Sequence, residues 1–136
     1  MRYLLDTNTC IAAMRNHRGV VDRMRGELPG ECAISAITSY ELLTGVEKCG
    51  KPEVEGPKVR LLIQSLSELA FDAVAAEHAA RIRARLESQG TPIGPYDLLI
   101  AGQAVSAGLV LVTNNTREFS RIAGITLEDW FKTRTE

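Results

Sequence analysis

Three carboxylates stand where short apolar segments give way to polar ones: Asp6 after "RYLL", Glu41 within "SYELL" and Asp97 after "IGPY". A fourth polar position follows "LVLVT", where Asn115 and then Glu118 occur. Acids brought together from such positions repel one another strongly unless cations lie between them. Their oxygen donors suit a hard divalent ion, Mg²⁺ or Mn²⁺, over zinc. The spacing therefore suggests an acidic metal site.

Each residue also has an ordinary structural reading. Asp6 could simply cap a following helix. Asp97, near the start of a helix, would favour its dipole. Glu41 falls between Tyr40 and Leu42 and one turn after Ile37, in a helix whose neighbours read as buried. An acid there is paired or metal-bound rather than idle. Asn115 by itself is a common turn residue.

The elements that must position these residues follow from periodicity. "RYLLD", "CAIS", "ELAFD" and "LVLVT" read as buried strands, and "ITLEDW" as a last strand or turn. "TNTCIAAMRN" predicts a short helix, capped by Asp6, Thr7 or Asn8. "VVDRMRGEL" has Val20, Val21, Met24 and Leu28 at helical spacing, ended by "PGE". "AITSYELLTGVEKC" has its apolar stripe at Ile37, Tyr40, Leu43 and Val46. "GKPEVEGPK", with two prolines and two glycines, reads as a loop before the apolar helix "VRLLIQSLS". "AVAAEHAARIRARLESQG" buries Ala75, Ala79, Ile82 and Leu86, and Gly90 stands where a C-cap belongs. Pro95 opens the next helix, and "REFSRIAG" is a short helix or turn. Strands that are apolar throughout and alternate with helices predict an α/β fold. Its parallel sheet is flanked by helices on both faces, with ligands bound beyond the strands' carboxyl ends.

The 136 residues suffice for one domain with a core, taken as residues 1–136. A net charge of -1 announces no nucleic-acid or membrane partner through an overall field, although a local basic patch is compatible with it. Three cysteines without a CxxC, and two distant histidines, argue against zinc and for reduced thiols in a cytoplasm. "MRYLLD" enters a strand at once, which leaves no room for a signal peptide, and no apolar run approaches membrane-spanning length.

"LLDTNTCI", "ISAITSYELLTGVEK", "IGPYDLLIAGQA" and "LVLVTNNTREFSRI" together resemble the four motif blocks of PIN-domain ribonucleases, above all the VapC toxins of VapBC modules. The blocks stand in the family's order and extend from residue 2 to about 130. The resemblance implies a PIN-like domain, Mg²⁺ with Mn²⁺ as substitute, and endonucleolytic cleavage of RNA. In that reading Asp6, Glu41 and Asp97 are the first three family acids. Asn115 takes the place of the fourth, two residues after the strand-ending Thr113, a form of the motif familiar among VapC-like sequences. Glu118 would supply the missing charge through a water.

A divalent ion held by Asp6 and Asp97 would then activate a water and contact the phosphate, with Glu41 orienting that water or taking its proton. Asn115 would hold a water or a phosphate oxygen, and Thr7, Asn8 and Thr113 would fix the carboxylates. Arg15, Arg18, Arg23, Arg25, Lys48, Lys51, Arg117 and Arg121 are either a solvated surface or the edge of an RNA groove. Arg81, Arg83 and Arg85 read as the wet face of their helix. So few aromatic residues argue against base stacking as the main grip, and for recognition of a folded RNA by shape. By resemblance the substrate is a tRNA, the initiator tRNA foremost, whose cleavage would inhibit translation. The partners so implied are a VapB-type antitoxin of a type II toxin–antitoxin system and a second copy of the chain. The helix "VRLLIQSL" is compatible with either a dimer face or a core helix. Two other readings differ in class. One is a non-enzymatic RNA- or protein-binding module with structural acids. The other is a phosphatase using Asp6, disfavoured because Asn8 stands where its second Asp belongs.

Overall fold

Short apolar runs such as "YLL", "CAI" and "VLV" bury both faces of a sheet, and in this protein they do so in parallel strands. The computed structural model describes residues 1–28 and 30–132. Its first half runs β1 Tyr3–Leu5, α1 Thr7–Met14, α2 Arg18–Arg25, β2 Cys32–Ser35, α3 Ala36–Lys48 and α4 Pro52–Ser65. The second half runs β3 Ser67–Leu69, α5 Ala73–Ser88, α6 Pro95–Ala107, β4 Val110–Val112, α7 Thr116–Phe119 and β5 Thr126–Glu128. The strand order is β3-β2-β1-β4-β5 and every neighbouring pair is parallel.

Side chains alternate across the sheet, and helices cover both faces. Tyr3, Leu5, Ile34 and Val112 pack with Cys10, Val20, Leu42, Val59 and Trp130 on one side. Leu4, Ala33 and Leu111 pack with Leu86, Ile100, Ala104 and Phe119 on the other. This is the α/β architecture expected. From β1 the chain builds outward to β2 and β3, then crosses back to lay β4 and β5 on the opposite side. The order reverses between β1 and β4, and such a reversal opens a crevice at the strands' carboxyl ends. Asp6 directly follows β1 and Thr113 directly follows β4; the Asp6 N–H donates to the Val112 carbonyl at 3.0 Å.

Four local readings change. "GKPEVEGPK" is not a loop: α4 already begins at Pro52 and runs through Pro57. Pro52 occupies the helix start, where no N–H is needed, and Glu53 and Glu55 suit the first turn. In α3 the buried face comprises Thr38, Ser39, Leu42 and Val46, whereas Tyr40 is exposed. Leu28 lies beyond α2, which ends at Arg25, and is exposed; of the "PGE" read as its stop, Pro29 falls outside the described residues. β3 covers Ser67–Leu69 rather than "ELAFD", because Asp72 is taken as the N-cap of α5, accepting from the Ala75 N–H at 2.9 Å. Within "VRLLIQSL", Val59, Leu62 and Ile63 pack into the core and Leu61 is exposed. No helix among the described residues is long and apolar enough to cross a membrane.

The helix that carries Asp97 is held by a close crossing. A Cβ added at Gly102 of α6 would lie 2.7 Å from the Cβ of Ala79 and 2.8 Å from its Cα and N. Backbone on α5 cannot yield as a flexible side chain would. Gly102→Ala should therefore destabilise the protein by about 1–3 kcal/mol, as overpacking does. Urea denaturation checks this, and an unchanged midpoint would show that the α5–α6 crossing is loose.

Candidate active site

Asp6, a candidate site acid, is also a helix cap. It is buried, and its Oδ1 accepts the Thr9 N–H at 2.9 Å at the start of α1. Thr113, also buried, contributes a side-chain hydrogen bond to the same carboxylate. Burial raises the Asp6 carboxyl above its ordinary value; hydrogen bonds from Thr113 and Thr9 work against that rise, and the charge of Asp129 adds to it.

Glu41 reaches the same crevice from α3. The Thr7 hydroxyl donates to Glu41 Oε1 at 2.6 Å and lies 3.4 Å from the Thr38 hydroxyl. Asp97 sits in the first turn of α6, behind Pro95 at the helix start. Its carboxyl is pushed up to about 6, first by burial and then by the charges of Asp6, Glu41 and Glu118. Those three neighbours are all negative. Glu118 Oε2 in turn accepts from Asn115 Nδ2 at 2.9 Å, while the Asn115 N–H donates to Thr113 Oγ1 at 3.0 Å.

The structure thus brings Asp6, Glu41, Asp97 and Glu118 within electrostatic reach of one another. Thr7 orients Glu41, Thr113 supports Asp6, and Asn115 aims Glu118. Asn8 is exposed and borders a shallow depression with Arg15, His17, Asn114 and Phe131. Three residues escaped the sequence reading. Thr9 was detectable, since an Asp three residues before a Thr is a capping spacing. Thr38 is a polar residue on the buried side of α3, which the misplaced apolar stripe concealed. Asp129 has no local signal; its charge reaches Asp6 only because the segment after β5 returns there.

Among the described residues no three or more acid, cysteine or histidine side chains are drawn closely enough together to hold a metal ion as they stand. The donor set fits a hard divalent ion that keeps several of its waters. Concentrated negative charge with no neutralising side chain among the groups acting on Asp97 is what such an ion would relieve.

The basic residues divide. Arg15 and Lys51 line a groove of about 780 Å³ that also reaches Glu41. Arg25, Lys48 and Arg117 are exposed, and Arg18 is 3.8 Å from Asp22 in an exposed pair. Arg121 borders a separate hollow with His78, Arg81 and Arg85. Arg23 departs from the reading of a free RNA contact: it lies 3.1 Å from Glu128 and 3.7 Å from Glu27, with its guanidinium 4.9 Å from the centre of the Trp130 ring. The buried thiols of Cys10 and Cys32 are pushed up by burial, and no pairing of the three cysteines occurs.

The sequence matches the PIN domain family over residues 3–125. The chain belongs to the PIN-domain family. Nucleases with PIN domains generally depend on a divalent metal. Two relatives are named tRNA(fMet)-specific endonuclease VapC. The one from Salmonella typhimurium is 46% identical over 96% of this chain and 98% of its own. The one from Shigella flexneri is 42% identical over the same shares. In the crystal structure of DNA-bound VapBC from Salmonella typhimurium, a chain 46% identical superposes with a TM-score of 0.91, covering 96% of this chain and 98% of that one. The PIN fold, with helices on both faces of a parallel sheet, is therefore the frame that carries these acids.

The raised Asp97 carboxyl has a consequence for stability. Because its folded pKa lies above the unfolded value, the folded state binds the extra proton between about pH 4 and 6. Stability then falls as pH rises through that window. Asp97→Asn should raise the melting temperature of the metal-free protein at pH 8, with the gain fading toward pH 4. Thermal scans in EDTA across that range check it; a gain equally large at pH 4 would trace the effect to something other than charge.

Proposed function

We propose that this protein is a VapC-type toxin of a type II toxin–antitoxin system. It is a divalent-metal-dependent endoribonuclease that cuts structured RNA, with tRNA, the initiator tRNA foremost, as the substrate whose loss inhibits translation. The observation that carries this reading is the acidic crevice, where burial and then the charges of three neighbouring acids raise Asp97 at the reversal between β1 and β4. The named endonuclease relatives support the enzymatic reading over a binding module or a phosphatase. The domain extends over residues 1–136. The working ion is Mg²⁺, with Mn²⁺ able to replace it. A VapB-type antitoxin, a second copy of the chain and a cytoplasmic location complete the proposal.

In this mechanism Asp6 and Asp97 would hold the ion, which would supply a water of lowered pKa and offset phosphate charge. Glu41, fixed by Thr7, orients the attacking water and accepts its proton. Asp6 is kept in place by the Thr9 N–H and by Thr113, so its oxygens need little reorganisation. Glu118, aimed by Asn115, would add negative charge near Asp97 and hold a water there. Arg15 and Lys51 attract the phosphate backbone along the groove that ends at Glu41.

Asp6→Ala and Asp97→Ala should each abolish metal-dependent cleavage of tRNA(fMet) while leaving the circular dichroism spectrum unchanged. Glu41→Gln should lower the rate at least ~100-fold, the scale of a lost acid–base group. Gel assays of tRNA(fMet) with Mg²⁺ or EDTA test both, and full cleavage by either alanine variant would overturn the assignment.

A calorimetric Mn²⁺ titration examines the other rim. Asn115→Asp should tighten Mn²⁺ binding by adding a carboxylate, and Glu118→Gln should weaken it. Identical isotherms for wild type and both variants would remove "TNNTREF" from the metal site.

A further inference from the structure

The exposed aromatic residues of this protein are not scattered. Tyr40 and Tyr96 are 51% and 42% exposed, whereas Tyr3, Phe119 and Trp130 are fully buried. Each exposed tyrosine immediately precedes a carboxylate of the crevice, Glu41 on α3 and Asp97 on α6. Although 56 residues apart in the chain, their hydroxyls meet at 3.2 Å. Their rings pack at 5.5 Å between centroids, tilted by 54°. Tyr96 lies with Asp97 in the first turn of α6 and Tyr40 lies beside Glu41 in α3, so the pair stands next to both acids.

Nothing in the core explains this pair. A tyrosine held only by another exposed tyrosine keeps most of its ring in water. The two rings instead hold one another in place, so little side-chain freedom remains to be lost when a ligand settles on them. A flat, exposed, preordered aromatic surface beside a phosphate-cutting site suits one chemical class above others, an unstacked nucleobase.

Resting on the ribonuclease reading above, we propose that Tyr40 and Tyr96 form a stacking platform for the nucleobase next to the scissile phosphate. The platform selects RNA in which that base is splayed out of the helix and sets which phosphate reaches Glu41 and Asp97. Sequence composition pointed the other way, because few aromatic residues argue against a stacking grip. One base needs only one platform, however, and the fold assembles it from residues on two helices. The platform acts on substrate positioning, and the acids perform the chemistry.

The experiment uses the full chain and tRNA(fMet), with the cleaved phosphate mapped first. Cleavage by wild type that is lost in Asp97→Ala secures the ribonuclease reading; its absence would sink that reading and not bear on the tyrosines. Given cleavage, Tyr40→Ala and Tyr96→Ala should lower kcat/KM about tenfold or more, the scale of one lost base stack, chiefly through KM. Tyr40→Phe and Tyr96→Phe should recover most of that loss, since the ring is kept and only the hydroxyl is gone. Replacing the flanking nucleotide with an abasic one should impair wild type similarly, and the alanine variants should suffer little further loss on that RNA. Alanine variants with wild-type kcat/KM would overturn the platform. So would phenylalanine variants as poor as alanine, or defects that simply multiply with the abasic change.

Discussion

The crevice is governed by the mutual repulsion of carboxylates gathered at one edge of a parallel sheet. Asp6, Glu41, Asp97 and Glu118 come from four different elements, and at least Asp6 is withdrawn from water. Bringing them together works against folding, and the raised Asp97 records that opposition. The fold lessens it by placing helix N-termini there: Asp6 caps α1 and Asp97 lies in the first turn of α6, where unpaired N–H groups carry partial positive charge. What remains is uncompensated negative charge, which the proposed divalent cation would relieve.

Hydroxyl groups convert this charge cluster into a geometry. Thr9 Oγ1 donates to the Val112 carbonyl at 3.1 Å, locking α1 to β4 while its N–H serves Asp6. Thr7 spans from α1 to Glu41 on α3, and Thr113 joins Asp6 to the turn that holds Asn115. Threonine suits these posts because its branched side chain packs against a sheet edge while the hydroxyl remains available. On the opposite flank, Arg23, Glu128 and Trp130 form a compact support. The Trp130 Nε1–H donates to Glu128 Oε1 at 3.0 Å, beside the arginine that bridges from α2. A cation that looks free in the sequence is in fact fastening β5 and the segment after it, which carries Asp129 toward Asp6.

The placement of the relatives agrees with this reading of the parts. Their similarity spans nearly the whole chain, so the framework that aims the acids is common to them. The motif's neutral fourth position is then no isolated loss. Asn115 donates to Glu118, and the charge appears one helical turn later on a longer side chain.

Local sequence determined the three central strands, most helices and the positions of the three central acids, because apolar periodicity and abrupt apolar-to-polar changes are short-range signals. It also carried the four motif blocks that mark the family. It misjudged α4, since proline and glycine are strong local breakers. Tertiary packing against Val46, with Pro52 at the tolerated first position, overrode them. It put Tyr40 in the core, since a helical stripe can be drawn through several faces and only the facing layer selects one. Tertiary structure alone decided that Tyr40 meets Tyr96, that Arg23 is already engaged and that Asp129 acts on Asp6. Each is a relation between residues far apart in the chain, created by a strand order that reverses between β1 and β4.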